Sequence, residues 1–163
     1  GTMTHANAKT ACTWLWALRR YAAALVAGNL VWEIVHMPLY TIWRDGTARE
    51  IAFAVIHCTG GDLMIGTLSL MGMLLLFGAP AWPVVNFTRV AVPTIIAGLA
   101  YTIFSEWLNI EIRGSWEYTA LMPTVPWIGT GISPLAQWIV IPGAGFLWLW
   151  RASRQPANDT TLQ

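Results

Sequence analysis

Four long apolar stretches dominate the chain, and proline, glycine or clusters of charged residues separate them. The hydrocarbon core of a bilayer is about 30 Å thick, so a helix that crosses it needs about 20 apolar residues. The pattern therefore predicts four membrane-spanning helices, at residues 17–43, 51–78, 90–110 and 134–150. A secretory signal peptide competes for the first stretch, but its apolar run continues without a small-residue cleavage site, which favours a retained helix.

The fold class that follows is all-α, an integral membrane four-helix bundle formed by one membrane domain over residues 1–163. The polar ends, 1–13 and 152–163, are expected to be flexible tails. Ser133 followed by Pro134 is typical of a helix start, with the serine as N-cap. The long aromatic-rich outer loop between the third and fourth helices is expected to lie at the headgroup level, where amphipathic rings are favoured. It would be either a lid over a site or only an anchor.

Basic residues near the ends of the spans predict the orientation. Six lie on the side of the termini and three on the other, so we expect both termini in the cytoplasm and, for a bacterial chain, the inner membrane. The six are Lys9, Arg19, Arg20, Arg89, Arg151 and Arg154, and the three are Arg44, Arg49 and Arg113.

Composition agrees with a membrane protein and narrows its partners. The chain is 56% hydrophobic and only 10% charged, whereas an average soluble domain has about 25% charged residues. Its net charge of +1 gives no basic footprint, so no nucleic acid is expected as a partner. The expected partners are membrane lipid and a hydrophobic small molecule, and a homo-oligomer is left open.

Five ionisable side chains fall inside or at the edge of the apolar stretches: Glu33, His36, His57, Asp62 and Glu106. Each costs at least about 2.5 kcal/mol to insert, so intramembrane ionisable groups usually mark a functional site. With both termini on one side, all five lie at similar depth in the outer half. The residues Asn29, Glu33, His36 and Tyr40 recur at helical spacing and form one polar stripe.

Other polar residues complete the predicted layer. On the second helix Cys58 shares a face with Asp62, and on the third helix Asn109 aligns with Glu106. Seven residues are expected to contact substrate or to support the site from behind: Asn29, Tyr40, Cys58, Asn109, Glu111, Trp116 and Tyr118.

Imidazole together with carboxylates suits Zn²⁺ or non-haem iron, with copper less favoured. The predicted metal ligands are His36, His57, Glu33, Asp62 and Glu106, and the three carboxylates are also the candidate catalytic groups. The pair Glu33-x-x-His36 has the spacing of di-metal sites in helical bundles, but only one copy exists, which favours a single metal. A haem between His36 and His57 is less favoured because the two helices are too close for a porphyrin.

The leading hypothesis is a membrane-embedded metalloenzyme, a hydrolase or an oxidoreductase, that acts on a lipid or another hydrophobic substrate. The alternative is a small transporter, ion or proton carrier, or sensor that uses the same polar cluster. A b-type haem protein and an assembly subunit are further alternatives. Polar residues are sparse in the inner half, which counts against a continuous path across the membrane.

Overall fold

This computed structural model describes residues 2–155, with side chains described from residue 13 onward. That part of the chain contains five α-helices, a short 3₁₀ turn at Met37–Leu39, a π turn at Leu108–Ile112 and no β-strand. The helices are α1 (Thr2–His36), α2 (Ile42–Asp45), α3 (Ala48–Phe77), α4 (Phe87–Trp107) and α5 (Ile132–Arg154). Of the predicted tails, residue 1 and residues 156–163 lie outside the described part.

Four of these helices are long and apolar enough to cross a membrane, which confirms the predicted all-α four-span bundle. The candidate spans are Thr13–Leu39, Ala48–Phe77, Phe87–Ile112 and Ile132–Arg154. Each contains or overlaps one predicted stretch. Many large apolar side chains point outward, among them Val35, Ile56 and Leu75, which are 72%, 69% and 79% exposed. Such exposure suits a lipid environment and fits an integral membrane protein.

The four long helices close into a ring of contacts. Helix α1 packs on α3 and α5, and α4 packs on the same two helices from the other side. One end of the bundle carries the connections 37–47 and 113–131, and we name it the long-loop end. The opposite end, where residues 78–86 join α3 to α4 and where α5 ends, is the termini end.

Local hydrogen bonds fix the start of α3 at the long-loop end. The Thr47 side chain accepts a hydrogen bond from the Glu50 backbone N–H, and the Glu50 carboxylate accepts one from the Thr47 backbone N–H. This reciprocal capping box satisfies two amides that the first turn would otherwise leave unpaired. Helix α3 therefore begins before the apolar stretch does.

The long connection between α4 and α5 is tied to the end of α1. The Thr41 amide donates to the Glu117 carbonyl at 3.0 Å, and the Thr119 amide donates to the Leu39 carbonyl at 2.8 Å. Tyr40 and Tyr118 form an isolated antiparallel bridge between these two hydrogen bonds. The tyrosine at position 118 is thereby held beside the bundle interior.

An apolar core fills the termini end. It joins residues from all four long helices and the 78–86 connection: Ala17, Tyr21, Leu25, Leu70, Leu74, Trp82, Val90, Ala91, Ile141, Phe146 and Leu149. Helices α1 and α3 approach closely here, because a Cβ added at Gly66 would lie 2.5 Å from Leu25 Cδ1. Such tight contacts between small and large residues are typical of membrane helix packing.

We expect Gly98→Ala to destabilise the bundle by about 1–3 kcal/mol, because an added methyl group overpacks a filled site. A Cβ at Gly98 would lie 2.3 Å from Trp138 Cε3, and Trp138 is buried. The control is Gly72→Ala, where a Cβ meets nothing within 4 Å and the helix-propensity gain is about 1 kcal/mol or less. Unfolding in detergent, followed by circular dichroism, compares them. Equal stability of the two variants would contradict the close packing.

Candidate functional site

Gln137 of α5 connects the polar residues of α1 and α3. Its Nε2 lies 2.9 Å from Asn29 Oδ1, 2.9 Å from Glu33 Oε1 and 3.0 Å from Asp62 Oδ2. The glutamine is 2% exposed and Glu33 is 6% exposed. A buried amide at this position gives three helices a common hydrogen-bonding centre, and buried polar networks of this kind fix helices relative to one another.

The Gln137 amide has fewer hydrogens than it has acceptors around it. The Gln137 amide has two hydrogens and three acceptors, so it cannot donate fully to all of them. Glu33 Oε1 and Asp62 Oδ2 both lie within 3.0 Å of that one nitrogen, so the two carboxyl groups are neighbours in the bundle. Two neighbouring carboxyl groups in such a setting avoid like-charge repulsion when one of them carries a proton. The geometry therefore fits a Glu33–Asp62 pair that holds one proton.

His36 extends the network from Glu33 towards α5. Its Nε2 lies 3.1 Å from Glu33 Oε2, and its Nδ1 lies 3.0 Å from Ser133 Oγ. Trp32 Nε1 donates to the same serine oxygen at 3.2 Å. With a neutral ring, the assignment that satisfies every atom has the Ser133 hydroxyl donating to Nδ1 and Nε2–H donating to Glu33. Glu33 is thus held by donors on both carboxyl oxygens.

The helix start predicted at Ser133 is wrong by two residues. Helix α5 begins at Ile132, its N-cap is Gly131, and the cap makes no side-chain hydrogen bond. The Ser133 hydroxyl is used by His36 and Trp32 instead of the helix backbone. Tertiary hydrogen bonds therefore outweigh the local capping preference at this position.

A second polar pair lies on the α4 side. The Tyr118 hydroxyl donates to Glu106 Oε2 and accepts a hydrogen bond from the Gly131 amide at 3.0 Å. Burial, followed by the neighbouring Glu106 carboxyl, raises the pKa of Tyr118 above its ordinary value. The phenol therefore stays neutral and remains a donor to the carboxyl across the physiological pH range.

Tyr40 lies between the two polar pairs. Its ring makes edge contacts with His36 at 5.2 Å and with Tyr118 at 5.5 Å between ring centroids. Burial is the largest cause that raises the pKa of Tyr40 well above its ordinary value, and the charges of Glu106 and Glu33 add to it. The uncharged Tyr40 side chain therefore separates the Glu33–Asp62 pair from the Glu106–Tyr118 pair.

Both pairs border one cavity of about 820 Å³. Along α3 its wall runs from Arg49 to Asp62, and on the other side it runs from Tyr101 of α4 to Asn109 of the π turn, with α1 and α5 behind them. Its volume lies in the range of pockets for drug-sized ligands, about 300–1,000 Å³. Trp116 Nε1 is a further buried group in the wall.

Exposed side chains of α3 and α4 form part of the cavity wall. Phe53 and Tyr101 line it and are 67% and 43% exposed. His57 lies next to Phe53, is exposed, and stacks on that ring with centroids 5.4 Å apart. Both helices are candidate membrane spans, so this side of the cavity faces the lipid region. At the long-loop end the cavity is lined by exposed polar residues: Arg49, Glu50, Arg113 and Ser115.

The structure brings most of the predicted site residues to this cavity. Eight of them line it: Glu33, Tyr40, His57, Cys58, Asp62, Glu106, Asn109 and Trp116. Three others support the wall through the contacts described above: Asn29, His36 and Tyr118. Glu111 is exposed on the π turn and does not line the cavity. His57 lies on the exposed side of the cavity, whereas His36 is buried behind Glu33.

Sequence reasoning missed Gln137, the residue that joins the network. A signal was present, because it is a glutamine in an apolar stretch, and polar residues in membrane spans usually face protein. The buried Trp138, which also lines the cavity, was missed too.

Metal-ligand geometry is not found around these side chains. Within the described residues, no group of three or more His, Cys, Asp and Glu side chains is arranged to hold a metal ion. Zinc and iron sites need three or more such ligands around a common point. Comparisons with known protein families, with curated proteins and with solved structures found no match for this chain.

Proposed function

We propose that this protein is a membrane-embedded enzyme that binds a hydrophobic molecule in the 820 Å³ cavity and acts on it by proton transfer. The observation that carries the proposal is the Glu33–Asp62 pair, two carboxyl groups in the cavity wall that both contact the Gln137 amide nitrogen. Pairs of carboxyls that share a proton are effective general acids and bases, because one group can donate while its neighbour stays ionised.

The surrounding hydrogen bonds divide the roles within the pair. Glu33 accepts from Gln137 and His36, so both of its carboxyl oxygens are occupied by donors. Asp62 has one amide contact from Gln137 and is the natural carrier of the proton. A substrate group that takes this proton leaves Asp62 as a carboxylate, which then accepts a proton back from the product. The cycle consumes no other reactant.

Glu106 and Tyr118 supply a second polar position across the same cavity. The neutral phenol holds one carboxyl oxygen of Glu106 and leaves the other for a polar group of the substrate. Binding at two separate points orients a molecule against the proton donor, and orientation is a major part of catalysis. Trp116 lines the cavity beside Glu106, and its buried Nε1–H is a further donor at this second position.

The chemistry of the cavity wall favours a substrate dissolved in the membrane. Phe53, Tyr101 and Trp138 are large apolar parts of the wall, and the exposed side of the cavity is formed by two candidate spans. A molecule in the bilayer can reach the carboxyl pair sideways without crossing the headgroup region. The predicted orientation places this side of the cavity in the outer half of the membrane, and we infer that the protein acts there.

Transport across the membrane is less favoured by the same structure. The apolar core of the termini end separates the cavity from that end of the bundle. Ions and protons need water or polar side chains along their path, and the core consists of buried apolar and aromatic residues. An enzyme, unlike a transporter, needs a site that is accessible from only one side of the membrane.

A cavity-blocking pair of variants tests this function. Gly61 lines the cavity and its neighbour Gly60 does not, and a Cβ at either position meets nothing within 4 Å. We expect Gly61→Leu to fill the cavity and Gly60→Leu to leave it open. Both variants gain the same helix propensity, so a difference between them reports on the cavity. Mass spectrometry of organic extracts from the purified proteins should find a hydrophobic molecule with wild type and Gly60→Leu that Gly61→Leu lacks.

Two results would count against the proposal. If extracts of wild type hold no molecule beyond bulk lipid in stoichiometric amount, the cavity is not a tight binding site. If Gly61→Leu retains the same molecule as Gly60→Leu, the molecule binds elsewhere. Elemental analysis of the same samples tests the metal hypothesis directly, because a stoichiometric metal lost in His36→Ala would restore it.

A further inference from the structure

A second cavity, of about 490 Å³, lies near the termini end and is built around Arg20. The Arg20 guanidinium lies over the ring of Trp16 at 4.7 Å and near the ring of Trp148 at 5.2 Å from the centroid. Cation–π contacts with two rings hold a planar guanidinium by its faces. Its N–H edges then remain available for a ligand. Arg19, Leu15 and Ala23 complete the wall.

Acidic residues are absent from the surroundings of this cavity within the described part of the chain. Of the eight Asp and Glu residues, seven lie in the long-loop half or near mid-bundle: Glu33, Asp45, Glu50, Asp62, Glu106, Glu111 and Glu117. The eighth, Asp159, is outside the described residues. Among described side chains, neither Arg19 nor Arg20 forms an ion pair with a carboxylate. Two arginines therefore share a cavity without a protein anion to neutralise them.

The position suits an anionic lipid headgroup. Trp16 and Trp148 are partly exposed at one end of the candidate spans, where indole rings mark the membrane interface. Arginine binds phosphate through two parallel N–H groups of its fork, and juxtamembrane cations attract anionic lipids. Leu15 and Ala23 are exposed beside the arginines, so the acyl chains of a bound lipid have an apolar surface to contact.

We propose that the Arg20 cavity binds the headgroup phosphate of an anionic phospholipid. Arg20 provides the N–H fork held between the two tryptophans, and Arg19 adds a second positive charge. The site is separate from the carboxyl pair and does not depend on the function proposed for it.

Native mass spectrometry of the purified protein with added phosphatidylglycerol tests this site. We expect one tightly retained phosphatidylglycerol on wild type and about fivefold weaker retention on Arg20→Gln, the effect of one interfacial charge. Arg154→Gln is the matched control, because Arg154 also stacks on a tryptophan, Trp150 at 4.5 Å, but does not line the cavity. Its retention should equal that of wild type. Circular dichroism confirms that the variants fold.

Phosphatidylcholine and inorganic phosphate identify the ligand class. Weaker retention of the zwitterionic lipid and no competition by free phosphate are expected for an anionic-lipid site. Competition by free phosphate at equal concentration would overturn the lipid assignment. Equal loss in both arginine variants would show that binding is only a general charge effect. No loss in either variant would show that Arg20 does not hold the lipid, and either result would overturn the proposal. If Arg20→Gln does not fold, Trp148→Leu, which keeps both charges but removes one stacking ring, provides the same comparison.

Discussion

Asp62→Asn is expected to abolish turnover while the bundle and the cavity stay intact. Asparagine has nearly the same shape as aspartate, and its carbonyl can still accept the hydrogen bond from Gln137 that now measures 3.0 Å. Its amide can donate to Glu33, so no buried acceptor loses its partner. What the variant lacks is a transferable proton. Loss of a general acid typically lowers the rate by about 10²–10⁴-fold.

The bound molecule is the readout for this variant. We expect the Asp62→Asn protein to retain the unconverted substrate, so its extract should contain a molecule of different mass or isomeric form from that of wild type. Infrared spectroscopy checks the shared proton itself, since wild type should show a protonated carboxylic acid band that Asp62→Asn removes. Asp45→Asn is the control, because it makes the same chemical change at an exposed aspartate that does not line the cavity. Turnover by Asp62→Asn at the rate of this control would refute the proposed role.

The four spans could be predicted because a bilayer demands about 20 apolar residues from any helix that crosses it. Helix boundaries were less accessible. Helix α3 begins at Ala48, before its apolar stretch, because of the Thr47–Glu50 capping box, and α4 begins at Phe87. The polar capping pair decides the start of α3, and hydropathy does not register it.

The site was predicted in part for a similar reason. Burial of Asn29, Glu33, His36 and Tyr40 follows from their spacing, because one stripe of polar residues on a span has to face protein. Which partners they meet depends on the rotation of α5, and no periodicity fixes it. Gln137 of α5 determines these partners, because its amide contacts three side chains on two other helices.

Tertiary contacts also explain why His36 is buried in the bundle whereas His57 is exposed. Spacing along the chain places both at similar depth. His57 sits one position around α3 from Cys58 and therefore faces the exposed side of the cavity and Phe53, whereas His36 faces α5 and Ser133. Two side chains at the same depth in the membrane need not lie close to each other. Their matched depth is therefore weak support for a shared metal ion.

Gln137→Leu is expected to cause the largest loss of stability of any single change discussed. Leucine fills a similar volume but removes the amide that contacts Asn29, Glu33 and Asp62, all in the bundle interior. The two N–H groups of the amide contribute about 1 kcal/mol through interhelical hydrogen bonds in a membrane, and buried acceptors left unpaired raise the total to about 2–5 kcal/mol. Unfolding in mixed micelles, followed by circular dichroism, measures the change.

A matched control and a rescue separate the network from ordinary packing. Thr94→Val also replaces a buried polar group, but the Thr94 hydroxyl bonds only the Val90 carbonyl of its own helix, so we expect a loss of about 1 kcal/mol or less. Adding Glu33→Gln to Gln137→Leu supplies a new amide beside Asp62, and the pair should be coupled by about 1 kcal/mol or more. Additive losses would mean that Gln137 acts through packing alone, and the carboxyl pair would then lack its organising donor.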